Sequence, residues 1–204
     1  KPVNPVKRPI APVPGNKEPL IAVASDKEAT GSDIELIFKL PVEKTKTVAD
    51  YRRDLMERLY LGMLNTRLEE ISQKPDAPFL GADASKGNFI GRNTDAFTLS
   101  ANVKDGAIAP GLEALLAEAK RVDQFGFLQS ELDRQKQSMI RGYERAYDER
   151  DKTQSAAFVQ EYVDNYLNAE AIPGIEYEYK LVKELVPTIT LADVNKLASN
   201  WITD

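Results

Sequence analysis

Residues 63–78 read Met63-Leu64-Asn65-Thr66-Arg67-Leu68-Glu69-Glu70-Ile71-Ser72-Gln73-Lys74-Pro75-Asp76-Ala77-Pro78. The first half completes a long apolar helical period. The two prolines then end it, because a proline ring pushes the preceding residue out of helical geometry and carries no amide donor. Upstream, Tyr51, Leu55, Met56, Leu59 and Tyr60 share the spacing of Met63, Leu64, Leu68 and Ile71, which predicts one helix from Thr47 or Val48 to about Gln73. At ~1.5 Å per residue it runs for about 39 Å. Beyond the prolines, residues 79–88 read as a strand, 91–95 as a turn, and 96–104 alternate with Phe97, Leu99, Ala101 and Val103 on one face. A helix that feeds a β-hairpin is therefore expected.

Ahead of the helix, residues 33–40 alternate too, with Ile34, Leu36, Phe38 and Leu40 on one face. The short apolar run 20–24 precedes them across the turn-forming stretch 26–32, so a first hairpin is expected there. Prolines at 2, 5, 9, 12, 14 and 19 mark residues 1–19 as an extended linker. After the second hairpin the pattern turns helical. One helix covers 110–125 up to Gly126, another runs from a Ser130/Asp133 cap to about Asp148, a third starts at Thr153, a fourth covers 175–186, and a last is capped by Thr190 and Asp193. The expected division is a linker over 1–19 and a single domain over 20–204. Its class is α+β, with a mixed or antiparallel sheet of about four to six strands and helices packed mainly on one face.

The chain has 204 residues, 42% apolar and 29% charged, ordinary usage for a folded domain that buries roughly 70% of its unfolded surface. A formal charge of −5 without any run of bases argues against nucleic acid as a partner. No apolar stretch approaches the ~20 residues of a membrane span. A start at Lys1 in place of methionine implies a fragment or a processed product. Histidine and cysteine are both absent. Disulfides and thiolate chemistry are thereby excluded, and so is an ordinary zinc site, since carboxylates alone favour hard cations.

The stretch 63–71 is joined by Phe127-Leu128-Gln129-Ser130-Glu131-Leu132-Asp133, opening a helix, and by Thr188-Ile189-Thr190-Leu191-Ala192-Asp193-Val194, opening the last one. Their order over residues 20–201 resembles the pitrilysin/insulinase family of zinc metallopeptidases. It is similar to the non-catalytic domain that follows each active-type domain, whose long helix ends in Asn-x-Arg-Leu. The resemblance implies a clamshell of four such domains, or pairs of two-domain subunits, around a chamber that admits unfolded peptides. Zinc in that family sits on His-x-x-Glu-His and a distant Glu, with the Glu between the imidazoles as general base on the bound water.

Without an imidazole, this chain is expected to hold no catalytic residue and no metal. The resemblance places zinc in a catalytic domain of the same or a partner chain, and makes that domain and an unfolded peptide the partners. It marks Arg67 and Asn65 for peptide or inter-domain contact. Some members carry a tyrosine seven residues after the arginine; Lys74 stands here, which suits a domain in the same half as the catalytic one, such as the second of four. The Pro-rich lead resembles those of envelope peptidases and implies a periplasmic or envelope location, with a cytoplasmic one left open. Two other readings stand beside this one: an assembly subunit related to respiratory-complex core proteins, and a peptide-binding module without a protease partner.

Arg67 continues the apolar line between Met63 and Ile71, so its guanidinium needs a partner. Glu70 or carbonyls at the hairpin would supply one from within, and a peptide or the opposite half of the clamshell from outside. Glu69, Glu70, Glu113, Glu118, Glu144, Asp148, Glu149 and Asp151 read as solvated faces, not as acid–base pairs. Tyr143, Tyr147, Tyr162 and Tyr166, at intervals of four, and then Tyr177 and Tyr179, read as packing between helices, or else as aromatic lining of a peptide chamber. The glycines between 81 and 91 lack phosphate-loop spacing.

Overall fold

The computed structural model describes residues 11, 13–91 and 93–202. Most of the expected linker, residues 1–10 and 12, lies outside the described residues. Its remainder forms neither helix nor strand.

Strand β1 (Ser32–Pro41) leads into helix α1 (Val48–Ser72), which is followed by β2 (Gly81–Asn88) and β3 (Thr94–Val103). Helices α2 (Ile108–Phe125), α3 (Gln129–Asp148), α4 (Ser155–Asn168), α5 (Ile175–Leu185) and α6 (Leu191–Trp201) complete the order. β3 is central. β1 pairs antiparallel on one side, with Ile34 opposite Ala101 and Phe38 opposite Phe97, and β2 pairs antiparallel on the other, with Ala84 opposite Leu99.

The α+β class holds, but the sheet has three strands among the described residues, all antiparallel, where four to six were expected. The missing partner is the run 20–24, which forms no strand and leaves Leu20, Ile21 and Val23 exposed. So short a ladder is marginal by itself. β1 instead takes β3 as its neighbour, which sets Ile34 and Leu40 on the same buried face as Phe97, Leu99 and Ala101.

α1 starts where a capping box forms. The Thr47 hydroxyl accepts from the Asp50 N–H at 3.1 Å, and the Asp50 carboxylate accepts from the Thr47 N–H at 2.9 Å. Leu55, Leu59, Met63, Leu64 and Leu68 are then buried along one face at helical spacing. Tyr60 meets the rings of Phe97, Phe127 and Trp201 edge-on at 6.3, 5.2 and 4.9 Å. α2 reaches the sheet at Gly111, where a Cβ would stand 2.6 Å from Val103 Cγ1 and 3.0 Å from Ile34 Cδ1. α6 begins on the expected Thr190–Asp193 box. α3 begins earlier than the Ser130 cap predicted, because Glu131, not Asp133, accepts the free backbone N–H, that of Leu128, at 2.6 Å.

Ile34, Leu40, Ala84, Phe97, Leu99, Ala101 and Val103 of the sheet join the helices other than α4 in one core, so the helices cover one face; on the other face Thr94 and Ala96 of β3 are buried as well. Glu35, Ile37, Asp83, Ser85 and Asn102 look out from the opposite face and are exposed. The tyrosines divide. Tyr147 lies 5.2 Å from Tyr179, and the Tyr51 hydroxyl donates to that of Tyr143 at 3.3 Å, so these pack between helices as expected. Tyr162 and Tyr166 do not: both are exposed, and α4 buries none of its residues. α5, not α4, packs along the flank of α3.

Candidate functional site

The end of α1 carries both residues marked by the sequence, and helical rotation points them to different neighbours. Arg67 turns toward α2 and α3. Its Nε and Nη2 donate to the two carboxylate oxygens of Glu131 at 2.6 and 2.8 Å, Nη1 donates to Glu118 at 3.2 Å, and Nη2 donates to the Gly126 carbonyl at 3.2 Å. The guanidinium lies 4.7 Å from the centre of the Phe127 ring. Four of its five N–H donors are thus engaged inside the domain, and the residue is only 8% exposed. The partners are Glu131 and Glu118, where Glu70 was considered. Glu118, read from sequence as solvated, is buried.

The charges settle each other. The Glu131 hydrogen bond holds the Arg67 guanidinium above its usual value. On Glu131, burial works upward, but the bonds from Arg67 and from the Leu128 N–H outweigh it and hold the carboxyl below its usual range. Glu131 therefore does two tasks, pairing Arg67 and capping α3.

Asn65 turns toward the sheet. Its Oδ1 accepts from the Ala84 N–H at 2.6 Å and its Nδ2 donates to the Ala84 carbonyl at 2.9 Å. Both backbone groups belong to the outer edge of β2, which has no neighbouring strand among the described residues. The side-chain amide acts there as a one-residue substitute for a strand.

Sequence reasoning missed a second cluster. Lys86 Nζ donates to Glu57 at 2.7 Å and Glu43 at 2.9 Å and sits 5.4 Å from the Trp201 ring centre. Burial holds the Glu57 carboxyl above its usual range, with Lys86 drawing it partly back. On Lys86 burial works downward, and the two carboxylate bonds override it. The signal was present: Lys86 shares strand parity with Ala82 and Ala84, and Glu57 lies on the line of Tyr60 and Leu64.

Zinc finds no fitting donor set here. Histidine and cysteine are absent from the chain, and among the described residues no group of three or more acidic side chains is placed to hold a metal. No helix among them is long and apolar enough to cross a membrane.

No family model matches the chain. A zinc protease PQQL-like protein of Arabidopsis thaliana is 34% identical over 200 residues, covering 98% of this chain and 18% of that protein. The chain thus spans less than a fifth of that curated relative's length. Among solved structures, the first half of the periplasmic protease PqqL from Escherichia coli superposes with a TM-score of 0.79 at 22% identity, over 86% of this chain and 38% of that one. The inactive peptidase domain of a Bordetella parapertussis protein does so with a TM-score of 0.52 at 14% identity, over 86% of this chain and 89% of that one. Together with the Asn65–Arg67 helix end, these likenesses run along nearly the whole chain, which belongs to the pitrilysin/insulinase-type metallopeptidase family as one of its non-catalytic domains.

Proposed function

We propose that this chain supports the catalytic domain of a zinc metalloendopeptidase and contributes one wall of the chamber that encloses an unfolded peptide. The one-sided layering carries the reading. A sheet covered by helices on one face, with Glu35, Asp83, Ser85 and Asn102 exposed on the other, is suited to line a cavity whose remaining walls come from other domains. Zinc belongs to the catalytic domain, in the same or a partner chain, since the imidazoles that would hold it are missing here. Residues 1–19 serve as the connector and 20–204 as the supporting domain. Arg67 and Asn65 serve inter-domain contact indirectly, by fixing the α2–α3 turn and the β2 edge. The periplasmic relative in E. coli favours an envelope location. Relatives named as proteases do not favour the assembly-subunit reading.

Two preparations test this. The 204-residue chain alone shows no metal-dependent cleavage of an unfolded peptide. A longer polypeptide that carries a His-x-x-Glu-His motif upstream cleaves it, and loses activity when this domain is deleted. Metal-dependent cleavage by the 204-residue chain overturns the reading.

A further inference from the structure

α4 presents its apolar side away from its own domain. At ~3.6 residues per turn, Phe158, Val159, Tyr162, Val163 and Tyr166 fall within an arc of about 140°. All five are exposed, from 40% for Val163 to 87% for Tyr166. The opposite side carries Gln160, Asp164 and Asn168. Asp164 and Asn168 are the two half-buried residues of the helix, so its polar side is the more covered one. Asn168 and the loop after it border a cleft against the start of α1, which sets the helix beside the domain with its apolar ridge outward.

Persistence, shape and size select what covers such a ridge. A 14-residue helix that buries none of its residues is marginal in water, so α4 needs a cover that stays in place. A peptide that enters and leaves a chamber does not supply one. The ridge is also convex, whereas peptides and small ligands are held by concave sites; a helix ridge fits the groove between elements of another folded unit. A second copy of the chain is the poorer occupant. One face of the helix is about 21 Å long and about 10 Å across, or roughly 200 Å², and a stable pair of separate proteins buries about 800 Å² per partner. Domains joined in one polypeptide hold together through less, because the tether keeps them at high effective concentration. Only 38% of the first half of the E. coli PqqL aligns with this chain, so most of that half is other polypeptide beside the matching domain.

We propose that α4 is a docking helix, whose apolar ridge seats in an apolar groove of the adjoining domain of a longer polypeptide, with the Tyr162 and Tyr166 hydroxyls at the polar rim of that groove. The proposal rests on the supporting role above and names the surface through which the support is given. Because α4 buries nothing against its own core, the contact can be removed without unfolding the domain that makes it.

Hydrogen exchange read by mass spectrometry tests this, on the 204-residue chain and on a longer polypeptide that carries the adjoining domain. With no peptide added, the amides of α4 become at least about tenfold more protected in the longer polypeptide, relative to those of α1. Lysine keeps helix propensity, so Val159→Lys with Tyr166→Lys leave the melting temperature of the 204-residue chain unchanged, yet abolish that protection. Equal exchange of α4 in the two polypeptides, protection that arises only when an unfolded peptide is added, a lowered melting temperature of the doubly substituted 204-residue chain, or protection in the 204-residue chain that grows with its concentration would each overturn the proposal. If α4 stays unprotected while deletion of the domain still abolishes cleavage, the supporting role stands and only this contact falls.

Discussion

Asn65 on α1 meets Ala84 on β2 twice, accepting from its N–H at 2.6 Å and donating to its carbonyl at 2.9 Å. The side chain thereby ties α1 to the outer edge of β2 and occupies both backbone groups of Ala84 there. Edge strands with free backbone groups recruit other strands, so this contact protects as well as stabilises.

Removing the amide tests both effects. Asn65→Ala leaves two partly buried backbone groups without partners and is expected to cost about 1–3 kcal/mol, read as a lower urea midpoint. Asn65→Asp keeps the acceptor but sets an anionic oxygen against the Ala84 carbonyl, so it recovers little. Light scattering should rise in Asn65→Ala as the edge opens. A variant as stable and as monomeric as the parent chain would contradict this account.

The Arg67 cluster makes a different demand, because its geometry is bidentate. Arg67→Ala removes the main cation from the buried Glu118 and the half-buried Glu131, leaving them only Arg121 and the Leu128 N–H, and is expected to cost up to about 3–5 kcal/mol. Arg67→Lys recovers only part of that, since one ammonium cannot span both oxygens of Glu131 and also reach Gly126. Thermal melts of both variants, with Glu131→Gln completing a double-mutant cycle, measure the coupling. Independent, additive losses would show that the cluster does not act as a unit.

Gly126 ends α2 at φ 67° and ψ −162°, a region open to glycine and little else. A Cβ there would also stand 2.4 Å from the Asn195 side chain, whose Oδ1 accepts from the Phe127 N–H at 2.9 Å. Gly126→Ala should therefore destabilise by about 1–3 kcal/mol or more, and should loosen Arg67, which donates to the Gly126 carbonyl. Denaturation of Gly126→Ala checks it; an unchanged midpoint would mean that the turn relaxes freely.

Asp193 sets part of the acid response. The Thr190 backbone N–H, then Arg52 and the Thr190 hydroxyl, hold its carboxyl down at about 2, below the 3.8 of an ordinary aspartate. A depressed carboxyl stabilises the fold fully above the unfolded value, and that contribution is lost as pH falls from there through the folded value. Between pH 3.8 and 2 the parent chain should lose melting temperature faster than Asp193→Asn does. Above that window the gap between them should be constant. Parallel curves down to pH 2 would refute the assignment.

Much of the fold was legible because local physics specifies it. The period of Leu55, Leu59, Met63 and Leu68, the Thr47 and Thr190 caps, and the stop at Pro75 place α1 and α6 without reference to any other part of the chain. Alternation places β1 and β3 equally well. The run 20–24 shows where this fails: five apolar residues satisfy the pattern of a strand, but a strand exists only when a neighbour accepts its hydrogen bonds. The same limit applies to Tyr162 and Tyr166, whose spacing is that of packed residues on a helix that buries none of its side chains.

From the sequence alone follow the α+β class, the long helix before its hairpin, and the exclusion of a zinc site built on imidazole or thiolate, because these depend on residue type and on neighbours a few positions away. The tertiary structure alone decides that β3 is the central strand, that Arg67 pairs with Glu131 and Glu118 at separations of 64 and 51 residues, and that Asn65 seals an edge. A guanidinium on an apolar helix face announces that it must be satisfied; which carboxylates reach it depends on how α2 and α3 pack, and that is settled by the burial of the whole core at once.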